Sequence, residues 1–268
     1  MNILFLGDIF GSPGREALAK HLPHIIEKHG ISCVIANGEN SANGRGITLE
    51  TANDIFKAGA HVITLGDHTF DQKGAEELLV LKDKIIRPAN YQQGTAGRGF
   101  VIHTTPAGQR IGVLNLQGRV FMSQQIDCPF QYAKRFVEEH ELTKDYDALV
   151  VDFHAEATAE KVCLAHVFDG HATLVVGTHT HIPTADTRVL PGGTAYQTDA
   201  GMCGIYNSSI GLSFESVLPN YYTRGRRAFQ PATGEASLSG VLVSANAKGL
   251  AQSVKPIRAG GDLTPTVG

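Results

Sequence analysis

Apolar residues in this chain gather into short unbroken runs separated by polar loops that carry glycine. Ile3-Leu4-Phe5-Leu6 and Cys33-Val34-Ile35-Ala36 are the first two runs, and residues 61–65 supply a third. Runs of this length with no polar face read as strands buried on both sides. A helical pattern follows each. The first spans about residues 15–29 and is ended by Gly30. The second is capped by Thr48, reaches about residue 57 and stops at Gly59, and the third covers about residues 74–82. Strand, loop and helix alternate three times, which is the pattern of parallel βαβ units.

The middle of the chain is less regular. Residues 94–99 read as a turn region, and strands at 100–104 and 110–116 flank the turn Pro106-Ala107-Gly108. A helix is expected over 129–140 with Pro129 in its first turn, then a buried strand over 146–153 ending at His154. A helix over 158–168 leads to a strand over 172–176. Beyond Pro183 antiparallel strands are expected at 187–190, 194–197 and 238–244, while residues 207–227 show no assignable pattern. The Gly-, Pro- and Thr-rich tail after about residue 256 is expected to fray. With no repeat and no linker, residues 1–268 read as a single domain, with room for a small cap within about 91–110.

Composition narrows the function classes. Hydrophobic residues make up 42% and charged residues 18%, which suits an ordinary globular protein. The net charge of −3, with a pI near 6.4, gives no electrostatic case for nucleic-acid or membrane affinity. Cys33, Cys128, Cys163 and Cys203 form no C-x-x-C and read as reduced thiols of a cytoplasmic protein. The N-terminus reads as a first strand rather than a signal peptide. No apolar run approaches the roughly 18–20 residues of a membrane span.

The candidate chemistry lies at the strand ends. Asp8 follows the first strand, Glu39 the second and Asp67 the third; His154 ends the strand over 146–153, and His179 with His181 follows the strand over 172–176. Ligands of open α/β sheets bind at the carboxyl ends of strands, where loops converge. In an extended segment His179 and His181 project from one face, so both can reach one metal site. Three carboxylates and three imidazoles without a thiolate suit Fe, Mn or Zn better than Ca or Mg. The ligand excess over one tetrahedral ion points to two transition-metal ions, the usual device for in-line attack on phosphate esters.

Gly7-Asp8, Gly38-Glu39-Asn40, Gly66-Asp67-His68, His154 and Gly177-Thr178-His179-Thr180-His181 resemble, in order, the motif blocks of the calcineurin-like metallophosphoesterases. The strings at 37–46 and 177–186 resemble its YmdB-like bacterial branch. The resemblance implies a four-layered α/β/β/α sandwich and a dinuclear site. It further implies phosphodiesterase activity on a small-molecule phosphodiester, with 2′,3′-cyclic nucleotides opened to nucleoside monophosphates. Carried over, Asp8 and His181 hold one ion, Asp67, His154 and His179 hold the other, and Glu39 bridges them. A hydroxide between the ions attacks phosphorus, and His68 is the general acid. Two positions depart from the superfamily. Phe10 stands where D-x-H has histidine, so Asn40 is the candidate to complete the first ion's shell, and its amide is also a candidate phosphate contact. Asp67 stands where G-N-H has asparagine, which adds a negative charge.

Arg45 and the cluster Arg224, Arg226 and Arg227 are candidate phosphate contacts, read first as solvated surface, and Cys203 is read as a packed thiol. A dinucleotide-binding dehydrogenase would explain the βαβ start, but Gly7-x-x-x-Gly11-x-x-Gly14 is not G-x-G-x-x-G and leaves three histidines without work. The alternative is a metal-containing regulatory protein with little activity, which does not account for His68. The sequence is compatible with a homo-oligomer.

Overall fold

A computed structural model describes residues 1–223 and 228–266. The first half contains β1 (Asn2–Leu6), β2 (Asp8–Ile9), α1 (Gly11–His29), β3 (Cys33–Asn37), α2 (Leu49–Ala58), β4 (Val62–Thr64), α3 (Ala75–Leu81) and β5 (Ile85–Ile86). Next come β6 (Phe100–Thr104), β7 (Arg110–Gln117), α4 (Pro129–Glu139), β8 (Ala148–His154), α5 (Thr158–Val167) and β9 (Leu174–Thr178). The remainder is β10 (Arg188–Val189), β11 (Ala195–Gln197), β12 (Met202–Cys203), α6 (Phe214–Tyr222), β13 (Leu238–Ala245) and β14 (Ala251–Ala259).

Twelve of the strands form two mixed sheets, and β2 pairs with β12 in a separate parallel pair. One has the order β14-β13-β1-β3-β4-β5, with β1, β3, β4 and β5 parallel. The other has the order β10-β11-β9-β8-β7-β6, with β11, β9, β8 and β7 parallel. Two-sided burial within single strands fixes the layering. Ile3 and Phe5 of β1 face the second sheet, where they join Val113, Val150 and Val176. Leu4 and Leu6 point the other way, into Leu18 and Leu22 of α1 and Ile55 of α2. On the far side of the second sheet, Val151 and Phe153 of β8 pack against Phe136 of α4 and Leu164 of α5. The result is the α/β/β/α sandwich expected from the sequence.

Several boundaries differ from expectation. α1 begins at Gly11, not near residue 15, because Pro13 sits in the first turn, where its missing N–H costs no bond. The strands expected to be antiparallel are so on one side, β10 with β11 and β13 with β1, while β11 also joins the parallel series by pairing Ala195 with Leu174 of β9. The unassigned stretch contains α6, whose Ser213 cap accepts from the Ser216 N–H. The tail is ordered beyond residue 256: β14 pairs with β13 as far as Ala259 opposite Leu238, and the Thr266 N–H reaches the Arg258 carbonyl. Residues 100–104 and 110–117 are an edge hairpin of the second sheet. Among the described residues, no helix is long and apolar enough to cross a membrane.

Candidate metal centre

The parallel strands of both sheets bring their ligand-type residues to one place. Asp8 follows β1, Glu39 and Asn40 follow β3, Asp67 and His68 follow β4, His154 ends β8, and His179 and His181 follow β9. Glu39, Asp67, His154 and His179 each place one oxygen or nitrogen within 4.8 Å of the others. The His154 Nε2 lies 3.0 Å from Glu39 Oε1, 3.0 Å from Asp67 Oδ1 and 3.1 Å from the His179 Nδ1. Asp8 is fully buried; its Oδ2 accepts from the His179 N–H at 3.2 Å, while its Oδ1 has no hydrogen-bond partner. Gly66 must be glycine, because a Cβ there would strike the Glu39 carboxylate and the His154 ring.

His154 and His181 are each hydrogen-bonded through one ring nitrogen to an acceptor outside the cluster, and His179 lies beside one. The His181 Nδ1 donates to the Ile210 carbonyl at 2.9 Å, and the His179 Nε2 lies 3.2 Å from the Glu156 carboxylate. The His154 Nδ1 meets the Thr178 hydroxyl at 2.9 Å, and that hydroxyl donates to Asp152 at 2.7 Å. The other ring nitrogen of each faces inward, where it can carry a proton or turn its lone pair to a cation, the usual arrangement behind metal-binding histidines. His181 Nε2 then faces Asn40 Oδ1 at 3.2 Å, with the Asn40 amide N–H held by the Gly44 carbonyl. Two acceptors face each other there, as they would around a cation. Phe10, in the place of the superfamily's histidine, packs edge-on against the His181 ring at 5.7 Å between centroids.

The electrostatics also call for positive charge. Burial raises the Asp8 carboxyl to about 7, with Glu39 and Asp199 adding to the shift and His154 opposing it. Burial disfavours a charged His154, yet Glu39 and Asp67 outweigh it and hold the ring well above its ordinary value. Burial likewise pushes Asp67 upward, but hydrogen bonds from His154 and His179 hold it well below the carboxylate range. Without an ion, a proton on His154 supplies the missing charge; the donor set, the inward lone pairs and the unpaired Asp8 oxygen fit a transition-metal cation.

A second buried network, absent from the sequence reading, supports the first. His179 and His181 have φ of 92° and 66°, a left-handed region unfavourable for histidine. Thr180 between them is gripped by Asp199, which accepts from its N–H at 3.2 Å and its hydroxyl at 2.6 Å. Asp199 in turn pairs with the Lys161 ammonium of α5 at 2.7 Å, both side chains being buried. Asp152, inside β8, accepts from Thr64, Asn37 and Thr178, and burial raises it to about 7.

The remaining candidates fall around the same opening. A cavity of about 550 Å³ is lined by Glu39, Asn40, Arg45, His68, His179 and His181, among others. His68 donates its backbone N–H to Glu39 at 3.2 Å, and its Nδ1 meets Asp71 at 2.8 Å. Arg45 holds the same Asp71 oxygen. Cys203 is buried and burial pushes its thiol up to about 12, as suits a packed residue. Arg224, Arg226 and Arg227 lie outside the described residues.

A model of the YmdB-like protein family matches residues 4–257. The chain is 41% identical over 243 residues to the 2′,3′-cyclic-nucleotide 2′-phosphodiesterase of Bacillus subtilis (strain 168), covering 91% of this chain and 90% of that protein. It superposes on a hypothetical protein from Thermus thermophilus with a TM-score of 0.90 at 38% identity, covering 98% of this chain and 100% of that one. A novel phosphatase from Mycoplasma pneumoniae gives a TM-score of 0.91 at 32% identity, covering 98% and 94%.

Two outcomes follow from the geometry. In metal-free protein a proton stays on Asp8 up to about pH 7, and another is held on His154. Protons and a cation compete for the same lone pairs, so metal affinity rises with pH, by roughly tenfold per unit for each proton displaced. Mn²⁺ titrations of chelator-treated protein at pH 6, 7 and 8 should show that rise, and a flat profile would exclude these ligands. Lys161→Met should strand the Asp199 charge, at a cost of roughly 3–5 kcal/mol and a Tm drop on the order of 10 °C. It should also weaken Mn²⁺ binding through the loosened histidine turn; unchanged melting and unchanged affinity would refute the supporting role.

Proposed function

The chain belongs to the YmdB-like protein family, and from that premise we propose that it is a metal-dependent phosphodiesterase that opens 2′,3′-cyclic nucleotides to nucleoside monophosphates. The observation that carries the reading is the convergence of three histidine rings with Asp8, Glu39, Asn40 and Asp67, with His68 on the wall of the same cavity. Asp8, His181 and Asn40 would hold one ion, Asp67, His154 and His179 the second, with Glu39 between them. Since the Asn40 amide nitrogen is engaged by Gly44, its oxygen as ligand is better supported than its N–H as a phosphate contact. The donor set suits Fe, Mn or Zn. When bound, two such ions activate a water for attack on phosphorus and compensate charge on the phosphate oxygens.

The chain's own groups supply the rest. Asp71 accepts from the His68 Nδ1–H, so that in the imidazolium form the second proton, on Nε2, is the one presented to the cavity. As the bond from phosphorus to one ribose oxygen breaks, that oxygen takes the His68 proton and leaves as a hydroxyl. Arg45, held on Asp71 from the other side, fixes the carboxylate that orients His68. Because the site draws on both sheets, we read the chain as one domain, and its unpaired thiols suit the cytoplasm.

Metal-loaded protein should convert 2′,3′-cyclic AMP to a monophosphate and lose the activity on chelation. His68→Ala should retain its metal and lose on the order of 10²–10⁴ in kcat on that substrate. The loss should shrink for bis-p-nitrophenyl phosphate, whose leaving group needs little protonation. Turnover of 3′,5′-cyclic nucleotides alone would sink the substrate proposal, and equal losses on both leaving groups would sink the acid role.

A further inference from the structure

The cavity above the candidate ligands has two unlike walls. One is the polar floor of Glu39, Asn40, His68, His179 and His181; the other is apolar and comes from Ile210, Leu212, Phe229 and Pro231. Phe229 is 60% exposed and Ile210 46%, so two large apolar side chains stand open to solvent beside a polar centre. The apolar wall is built, not loose. Leu212 bridges to Pro231, the Ser213 N–H donates to the Gln230 carbonyl at 2.8 Å, and the Ala232 N–H donates to the Gly211 carbonyl at 2.9 Å. Ile210 has φ of 48°, a costly conformation for a β-branched residue, and in it the Ile210 carbonyl takes the His181 Nδ1–H. The wall is therefore fixed relative to the metal residues through His181 itself.

We infer that this wall is a nucleobase subsite, on which the base of a cyclic nucleotide lies against Phe229 and Ile210 while its phosphate reaches the metal residues. The inference rests on the proposed function and extends it to what the enzyme recognises. A base has an apolar π-face that needs no hydrogen-bond partner, so an aromatic and an aliphatic side chain can hold it with little regard to base identity. The cavity volume of about 550 Å³ lies within the range of small-ligand pockets. No contiguous base-stacking motif is visible in the sequence, because Phe229 reaches the cavity from a segment remote from every ligand loop.

The test compares two cyclic esters that differ only in the base: 2′,3′-cyclic AMP and methyl riboside 2,3-cyclic phosphate. For wild-type holoenzyme, kcat/KM should favour the nucleotide by tenfold or more. Phe229→Ala should raise KM for the nucleotide by about tenfold and bring the ratio of the two esters close to one. Phe229→Trp, which keeps an aromatic face, should preserve the ratio. Equal wild-type rates on the two esters, or an unchanged ratio in Phe229→Ala, would overturn the subsite while leaving the phosphodiesterase reading in place. Hydrolysis of neither ester by the metal-loaded wild type would overturn the proposed function, and the subsite with it.

Discussion

Three carboxylates, Asp8, Glu39 and Asp67, are held together at the carboxyl ends of parallel strands, two of them almost wholly buried. Like charges in a low-dielectric setting repel strongly, and desolvation alone disfavours each. Among the described residues, the groups that can carry positive charge within 4 Å of these carboxylates are imidazoles, whose inward nitrogens face them. Such an arrangement is stable only when positive charge sits among the ligands. Protons on Asp8 and His154 provide it in the metal-free protein, and a bound cation would provide it in their place.

Holding that arrangement explains features that otherwise look like local defects. Two histidines sit in a left-handed conformation that costs on the order of 1–3 kcal/mol each. Their turn is clamped by Asp199, whose own charge is matched by Lys161 from the helix behind the sheet. A buried ion pair rarely adds net stability over an apolar replacement. Here it ties the outer helix α5 to the turn that presents both rings. Gly7 serves the same end from the other sheet, since a Cβ there would collide with the Gly201 carbonyl, which accepts the Asp8 N–H.

The ligand-type residues were legible in the sequence because parallel strands put them in a fixed place, the first polar positions after each apolar run. The layering was legible from unbroken apolar runs such as Ile3 to Leu6, which can be buried only between two layers. What escaped was long-range or backbone-borne. Lys161 and Asp199 carry no mutual signal along the chain, and the carbonyl of Ile210 has no side-chain signature at all. Asp152 did leave a trace, as an acid inside a buried strand. β14 was missed because Lys255 and Pro256 break its pattern; as the outermost strand of its sheet it tolerates both.

The number of cations held by the buried carboxylates and histidines is the central quantity. Elemental analysis and native mass spectrometry of protein purified without chelator would count them directly. Two transition-metal ions per chain are expected, falling below two when Glu39→Gln weakens the ligand set between them. A chain that carries no transition metal and still cleaves phosphodiesters, or that binds one ion at saturation with all ligands intact, would contradict it.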